Sequence, residues 1–268
     1  MEEEQTESFS EEPATEGAHK LPPVPSLWPL ILGYLGLVAL PFLAAFIIGI
    51  GVAFLDPHLV QSGGKLDSHK LSDVVTKNIL VLLFEQIFMW AGMLLSVLFV
   101  SNHYKIAWRE LVVWKIRWRK DIPLALLIYL TAAIGGGIYL KLFQQLTHTV
   151  ANNLGNSSTV LQPHSRWNWV FAIITILFAP VIEEIFFRGL AFYVIAARFG
   201  STVAILASAL LFALAHFQTT LAATESTVGV IFVLGVVFGF ARSKTNRLGT
   251  TLLAHVLFNT IAVIVIYK

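Results

Sequence analysis

Cysteine is absent from the chain, which excludes disulfides, thiolate nucleophiles and any cysteine-ligated zinc centre. Charge is scarce as well. Asp, Glu, Lys and Arg make up 13% of the 268 residues, about half the share of an ordinary soluble domain. The acidic residues that do occur are badly spread: seven of the sixteen fall in the first sixteen positions. A formal net charge of +2 is too small for a nucleic-acid surface, so no nucleic-acid partner is expected. The stretch 1–24 has no hydrophobic pattern and reads as a disordered acidic tail. Without a basic n-region it is not a signal peptide.

What remains is apolar. Hydrophobic residues are 56% of the chain and the mean hydropathy is +0.75, values that fit a polytopic membrane protein. The hydrophobic runs predict an all-α bundle of about seven transmembrane helices: 27–55, 79–100, 122–146, 167–197, 201–217, 228–241 and 248–266. Between the second and third runs lie Lys105, Arg109, Lys115, Arg117, Arg119 and Lys120, interleaved with Trp108, Trp114 and Trp118. The helical spacing of its apolar residues predicts an amphipathic helix over 103–120 lying at the membrane surface. The chain thus divides into the tail, an N-terminal group of helices over 25–166 containing the basic surface helix, and a core over 167–268.

Lys and Arg also set the orientation. With the N-terminus in the cytoplasm, eleven basic residues fall on inner segments and five on outer ones, so the C-terminus is expected outside. The sequon Asn156-Ser157-Ser158 carries little weight, and Glu85 reads as a carboxylate near the interface of its span.

Against this background Glu183, Glu184 and Arg188 stand out. A charged side chain at the centre of a span costs roughly 2.5–3.5 kcal/mol on insertion scales, and here three fall within six residues. Glu184 and Arg188 are one helical turn apart and can pair. Glu183 lies about 100° round the helix from Glu184 and is expected to point elsewhere, unpaired. Pro180 can kink the same helix and expose a carbonyl. Later spans add His216, and His255 with Asn259 on one face. Counted from the inner helix ends, Glu183 and His216 come out about 22 Å deep, Asn259 about 16 Å and His255 about 10 Å. If the six side chains meet, Glu183 could take a proton from water held by His216, with His255 and Asn259 donating to the developing oxyanion. The same groups could instead hold a divalent metal such as zinc through Glu183, His216 and His255.

Three motifs carry a resemblance. Glu183-Glu184-Ile185-Phe186-Phe187-Arg188 is similar to the EExxxR motif of the CAAX-processing and bacteriocin-immunity type (CPBP) intramembrane endopeptidases, Phe212 to His216 to their FxxxH motif, and His255 to Asn259 to their HxxxN motif. The resemblance spans roughly 167–266 and implies an Rce1-like endopeptidase with its site open to the cytosol. It implies Glu183 as base, His216 with it on the water, His255 and Asn259 as oxyanion donors, and Glu184 and Arg188 in support. It also implies a membrane-associated or lipidated peptide as substrate, membrane lipid as partner, and a bacterial plasma membrane as the expected setting. A proton-coupled transporter or channel, and a non-catalytic immunity or scaffold protein, are the other classes that intramembrane charge permits.

Overall fold

A computed structural model describes residues 26–36, 79–149, 167–216 and 221–266, with isolated helical positions at 39, 43, 47 and 51. The acidic tail, most of the first predicted span, the loop at 56–77, the sequon and the side chain of Glu85 lie outside the described residues. Within them the protein is all-α. After a helical segment at 28–36 come α1 (Ile79–Tyr104), the short α2 (Trp108–Leu111) and α3 (Trp118–Thr147). The next stretch is continuous in helical hydrogen bonding but changes its winding: α4 (Trp167–Ile173), a π-helical turn π1 (Ile174–Phe178), α5 (Ala179–Glu183), a second π-helix π2 (Glu184–Ala191), and α6 (Phe192–Leu214). Then follow α7 (Leu221–Thr245) and α8 (Gly249–Ile266).

Four stretches are long and apolar enough to cross a bilayer: 86–104, 118–147, 168–214 and 225–245; a fifth, 249–265, is apolar but shorter. The 47-residue stretch is not one rod. Gly200 sits at φ 81°, ψ 169°, which is outside the helical region and open to glycine without a Cβ penalty. The rings of Phe187 and Phe212 lie 5.2 Å apart, whereas a straight helix would separate them by about 37 Å. The chain therefore doubles back at Gly200, and the fourth and fifth predicted spans are its two arms. This is an integral membrane protein of the helical-bundle type, and α3 shows how it meets lipid. Leu126, Leu130, Ile134, Ile138 and Leu142 are exposed along one side, while Ala125, Ile128, Ala132 and Gly136 are buried on the other.

α7 packs against α6 and α3, and α8 against α3 and π1. The α6–α7 contact depends on small residues. A Cβ added to Gly235 would meet the Ala209 Cα and Cβ at 2.9 Å, a backbone approach that side-chain motion cannot relieve. Gly235→Ala is expected to cost about 1–3 kcal/mol, read as a lower melting temperature in detergent; an unchanged melting temperature would contradict this packing.

The basic surface helix is not formed as expected. α1 ends at Tyr104, α2 is a single turn, and residues 112–117 are not helical. Tertiary bonds take this backbone away from the helix. The Leu248 N–H donates to the Val113 carbonyl (2.8 Å) and an Arg247 guanidinium N–H to the Lys115 carbonyl (2.8 Å). Arg247 also forms a two-pronged pair with Asp121, at 2.6 and 2.8 Å, while Thr250 and the Arg117 N–H donate to the same carboxylate. Asp121 is fully buried. Its hydrogen bonds raise the Arg247 guanidinium above its ordinary pKa, so the arginine stays charged. Leu111 and Val112 turn inward, and all six Lys and Arg side chains of the stretch remain exposed. The region is thus a clamp between the start of α3 and the start of α8.

Candidate active site

The site grows from the change in winding around Pro180. In π1 the Ala179 N–H bonds to the Ile174 carbonyl, five residues back. In that register the Thr175 carbonyl would be served by residue 180, but proline has no N–H. The amide of Asn259, on α8, donates to this carbonyl instead, at 2.7 Å. Pro180 does expose a carbonyl, and the structure identifies both the carbonyl and the donor that covers it. Below it α5 carries Glu183, and π2, buried along its whole length, opens on Glu184 and includes Arg188.

Glu184 and Arg188 are both essentially inaccessible and pair at 3.3 Å. His255, 2% exposed, lies between the two glutamates. Its Nδ1 is 3.2 Å from Glu184 Oε1, and its Nε2 is 3.6 Å from Glu183 Oε2. An ionised carboxylate only accepts, so Nδ1 is the donor to Glu184. The glutamate orients the imidazole and leaves its other nitrogen facing Glu183. The 3.6 Å separation is longer than a hydrogen bond, so the two groups face each other without being spent on each other.

Aromatic rings wall this cluster. The Arg188 guanidinium carbon lies 4.2 Å over the Phe212 ring and 5.2 Å from that of Phe238, contacts worth up to about 2 kcal/mol when dry. The His255 ring meets both phenylalanines edge-on, at 5.7 and 5.4 Å. Two terminal nitrogens of Arg188 and Oε2 of Glu184 are buried without a hydrogen bond. Polar atoms left so in a dry interior mark a place where an ordered water or a substrate group completes the set. The Nε of Arg242 donates to the Arg188 carbonyl at 3.1 Å, tying α7 to π2.

His216 reaches the same wall from the end of α6. Its ring packs edge-on against Phe212 with centroids 4.8 Å apart, and its Nδ1 is 2.8 Å from the Phe212 carbonyl. A carbonyl can only accept, so Nδ1 carries the hydrogen and Nε2 is free to accept a proton or hold a water.

Compared with the expectations above, Glu184 and Arg188 pair as the spacing predicts. Glu183 does not point away from Glu184; both carboxylates converge on one imidazole. The reason is the position of His255, whose two ring nitrogens point in different directions and so reach two side chains on adjacent residues. Depth counting also fails for His255, which it places about 12 Å shallower than Glu183 and which the structure places beside it. Counting assumed a uniform α-rise, which the two π-helical segments break. Asn259 shares a helix face with His255 but gives an amide hydrogen to Thr175. Phe238, Arg242 and Thr175 escaped the sequence reading. Phe238 and Thr175 are ordinary apolar-span residues in sequence, and Arg242 counted only toward topology. Among the described residues no three His, Asp or Glu side chains are grouped at metal-ligand spacing.

The described residues thus define a helical membrane bundle with a buried ion cluster, Glu183, Glu184, Arg188 and His255, in its interior. Residues 165–261 match the family described as type II CAAX prenyl endopeptidase Rce1-like. Over that region, which is less than half of the chain, the protein is similar to that family. No curated protein and no solved structure matches the chain.

Proposed function

We propose that the protein hydrolyses a peptide bond of a membrane-associated or lipidated peptide with water activated by Glu183. The observation that carries this reading is the placement of the Glu183 carboxylate 3.6 Å from the His255 Nε2, with Glu184, itself paired to Arg188, holding the imidazole from behind. Glu183 takes a proton from water as the water oxygen adds to the scissile carbonyl carbon. His255 faces the same space and, in the form protonated at both ring nitrogens, donates from Nε2 to the carbonyl oxygen as negative charge develops there. His216, with Nδ1 committed to the Phe212 carbonyl, receives a hydrogen bond from the water on Nε2. When the C–N bond breaks, Glu183 returns the proton to the leaving nitrogen, giving a new carboxylate and a new amine. Burial among Phe212, Phe238 and the apolar faces of α5 and π2 strengthens each of these interactions by excluding bulk water. The substrate must present its peptide at bilayer depth, which is the reason to expect a lipid-bearing segment.

Purified protein in vesicles, offered a prenylated C-terminal peptide, is expected to release a C-terminal fragment. The same rate is expected after dialysis against a chelator, because the proposed step runs on Glu183 and water. Loss of cleavage on chelation, restored by added zinc, would overturn the metal-free step. No cleavage of any lipidated peptide tried would sink the substrate class.

A further inference from the structure

We infer that Asn259 is a positioning residue: its amide stands in for the backbone N–H that Pro180 lacks, and so fixes the segment that carries Glu183. Three observations converge on this. The Ala179 N–H is committed to Ile174, five residues back, so it does not reach the Thr175 carbonyl. The next residue in that register is Pro180, which has nothing to give. The Asn259 Nδ2 lies 2.7 Å from that same carbonyl, 84 residues away in sequence. A carbonyl without a donor inside a bilayer is costly, because lipid offers no substitute. The bond therefore locks α8 to π1 at one defined point.

That point matters to the site through simple geometry. On the helix through π1 and α5 the lock precedes Glu183 by eight residues, about two turns. On α8 Asn259 follows His255 by one turn. Glu183 and His255 are the pair that face each other at 3.6 Å. One hydrogen bond thus sets the axial offset between the two helices bearing the reacting groups, a turn or two from where those groups must meet. Pro180 and Asn259 form a unit: the proline removes a local donor so that the distant one is needed.

The rate arm of the test rests on the endopeptidase reading; the melting arm does not. Asn259→Ala, Pro180→Ala and the double variant are compared in the full chain, in detergent for melting and in vesicles for cleavage of a prenylated peptide. Asn259→Ala alone is expected to lower the melting temperature by about 2–4 °C and the rate by at least about tenfold. In the Pro180→Ala background the new N–H can serve Thr175, so the same change should no longer shift melting and should cost much less rate. Equal losses in both backgrounds, in melting or in rate, overturn the inference. Should Pro180→Ala fail to insert, Asn259→Leu takes its place. Leucine keeps nearly the same volume but has no donor in any protonation state, so it should match Asn259→Ala; wild-type melting and rate there overturn the inference. A wild-type chain that cleaves nothing sinks the endopeptidase reading alone and leaves the melting comparison intact.

Discussion

Glu183→Gln is expected to lower the cleavage rate by about 10²–10⁴-fold, the range a positioned general base contributes, while the protein still inserts and melts close to the wild type. The amide has nearly the shape of the carboxylate and can still hold water, but it cannot take a proton. Its neighbours are undisturbed, because the Glu184–Arg188 pair and the Glu184–His255 contact do not pass through residue 183. Glu184→Gln makes a useful contrast. It leaves the Arg188 cation buried without its carboxylate and removes the charge that orients His255, so it should lose both activity and stability. The pair of variants separates a group that reacts from a group that holds. Rate and melting temperature, measured on the same vesicle and detergent preparations, decide between them; an active Glu183→Gln variant would remove this glutamate from the chemistry.

Asp121→Ala is expected to cost about 3–5 kcal/mol, because it leaves the buried Arg247 without its partner. The carboxylate receives both prongs of Arg247, the Thr250 hydroxyl and the Arg117 N–H. Its removal therefore loosens three segments at once: the end of the basic stretch, the start of α3 and the start of α8. The effect on catalysis should be indirect, since α8 also carries His255. Replacing both members, as Asp121→Ala with Arg247→Met, should recover much of the loss, because no buried charge is then left alone. The check is thermal unfolding of the single and double variants. A single variant as stable as the wild type would show that the clamp does not hold the bundle.

Much of this architecture was legible in the sequence, and the misses have identifiable causes. Span positions follow from hydropathy, since lipid rewards long apolar runs whatever their packing. The Glu184–Arg188 pair follows from helical spacing, and His255 with Asn259 on one face follows likewise. Side chains fixed by tertiary contact were less legible. The alternation of Trp and Lys over 103–120 favours a surface helix, but Val113 and Lys115 carbonyls are claimed by Leu248 and Arg247 from the far end of the chain. The convergence of Glu183 and Glu184 on one histidine depends on where α8 places His255, which no local pattern of apolar residues announces. Pro180 did announce an exposed carbonyl, yet only the fold could identify Asn259 as what covers it. Gly200 stood at the junction of two predicted spans, and its positive φ explains why the chain reverses there.

The most direct test of the whole account is mass analysis of a prenylated C-terminal peptide incubated with the reconstituted protein in ¹⁸O-labelled water. The account predicts an endoproteolytic cut with label in the newly formed carboxyl group, produced by the wild type and lost in Glu183→Gln. An intact peptide with the wild type, or labelled products formed as fast by the variant, would contradict it.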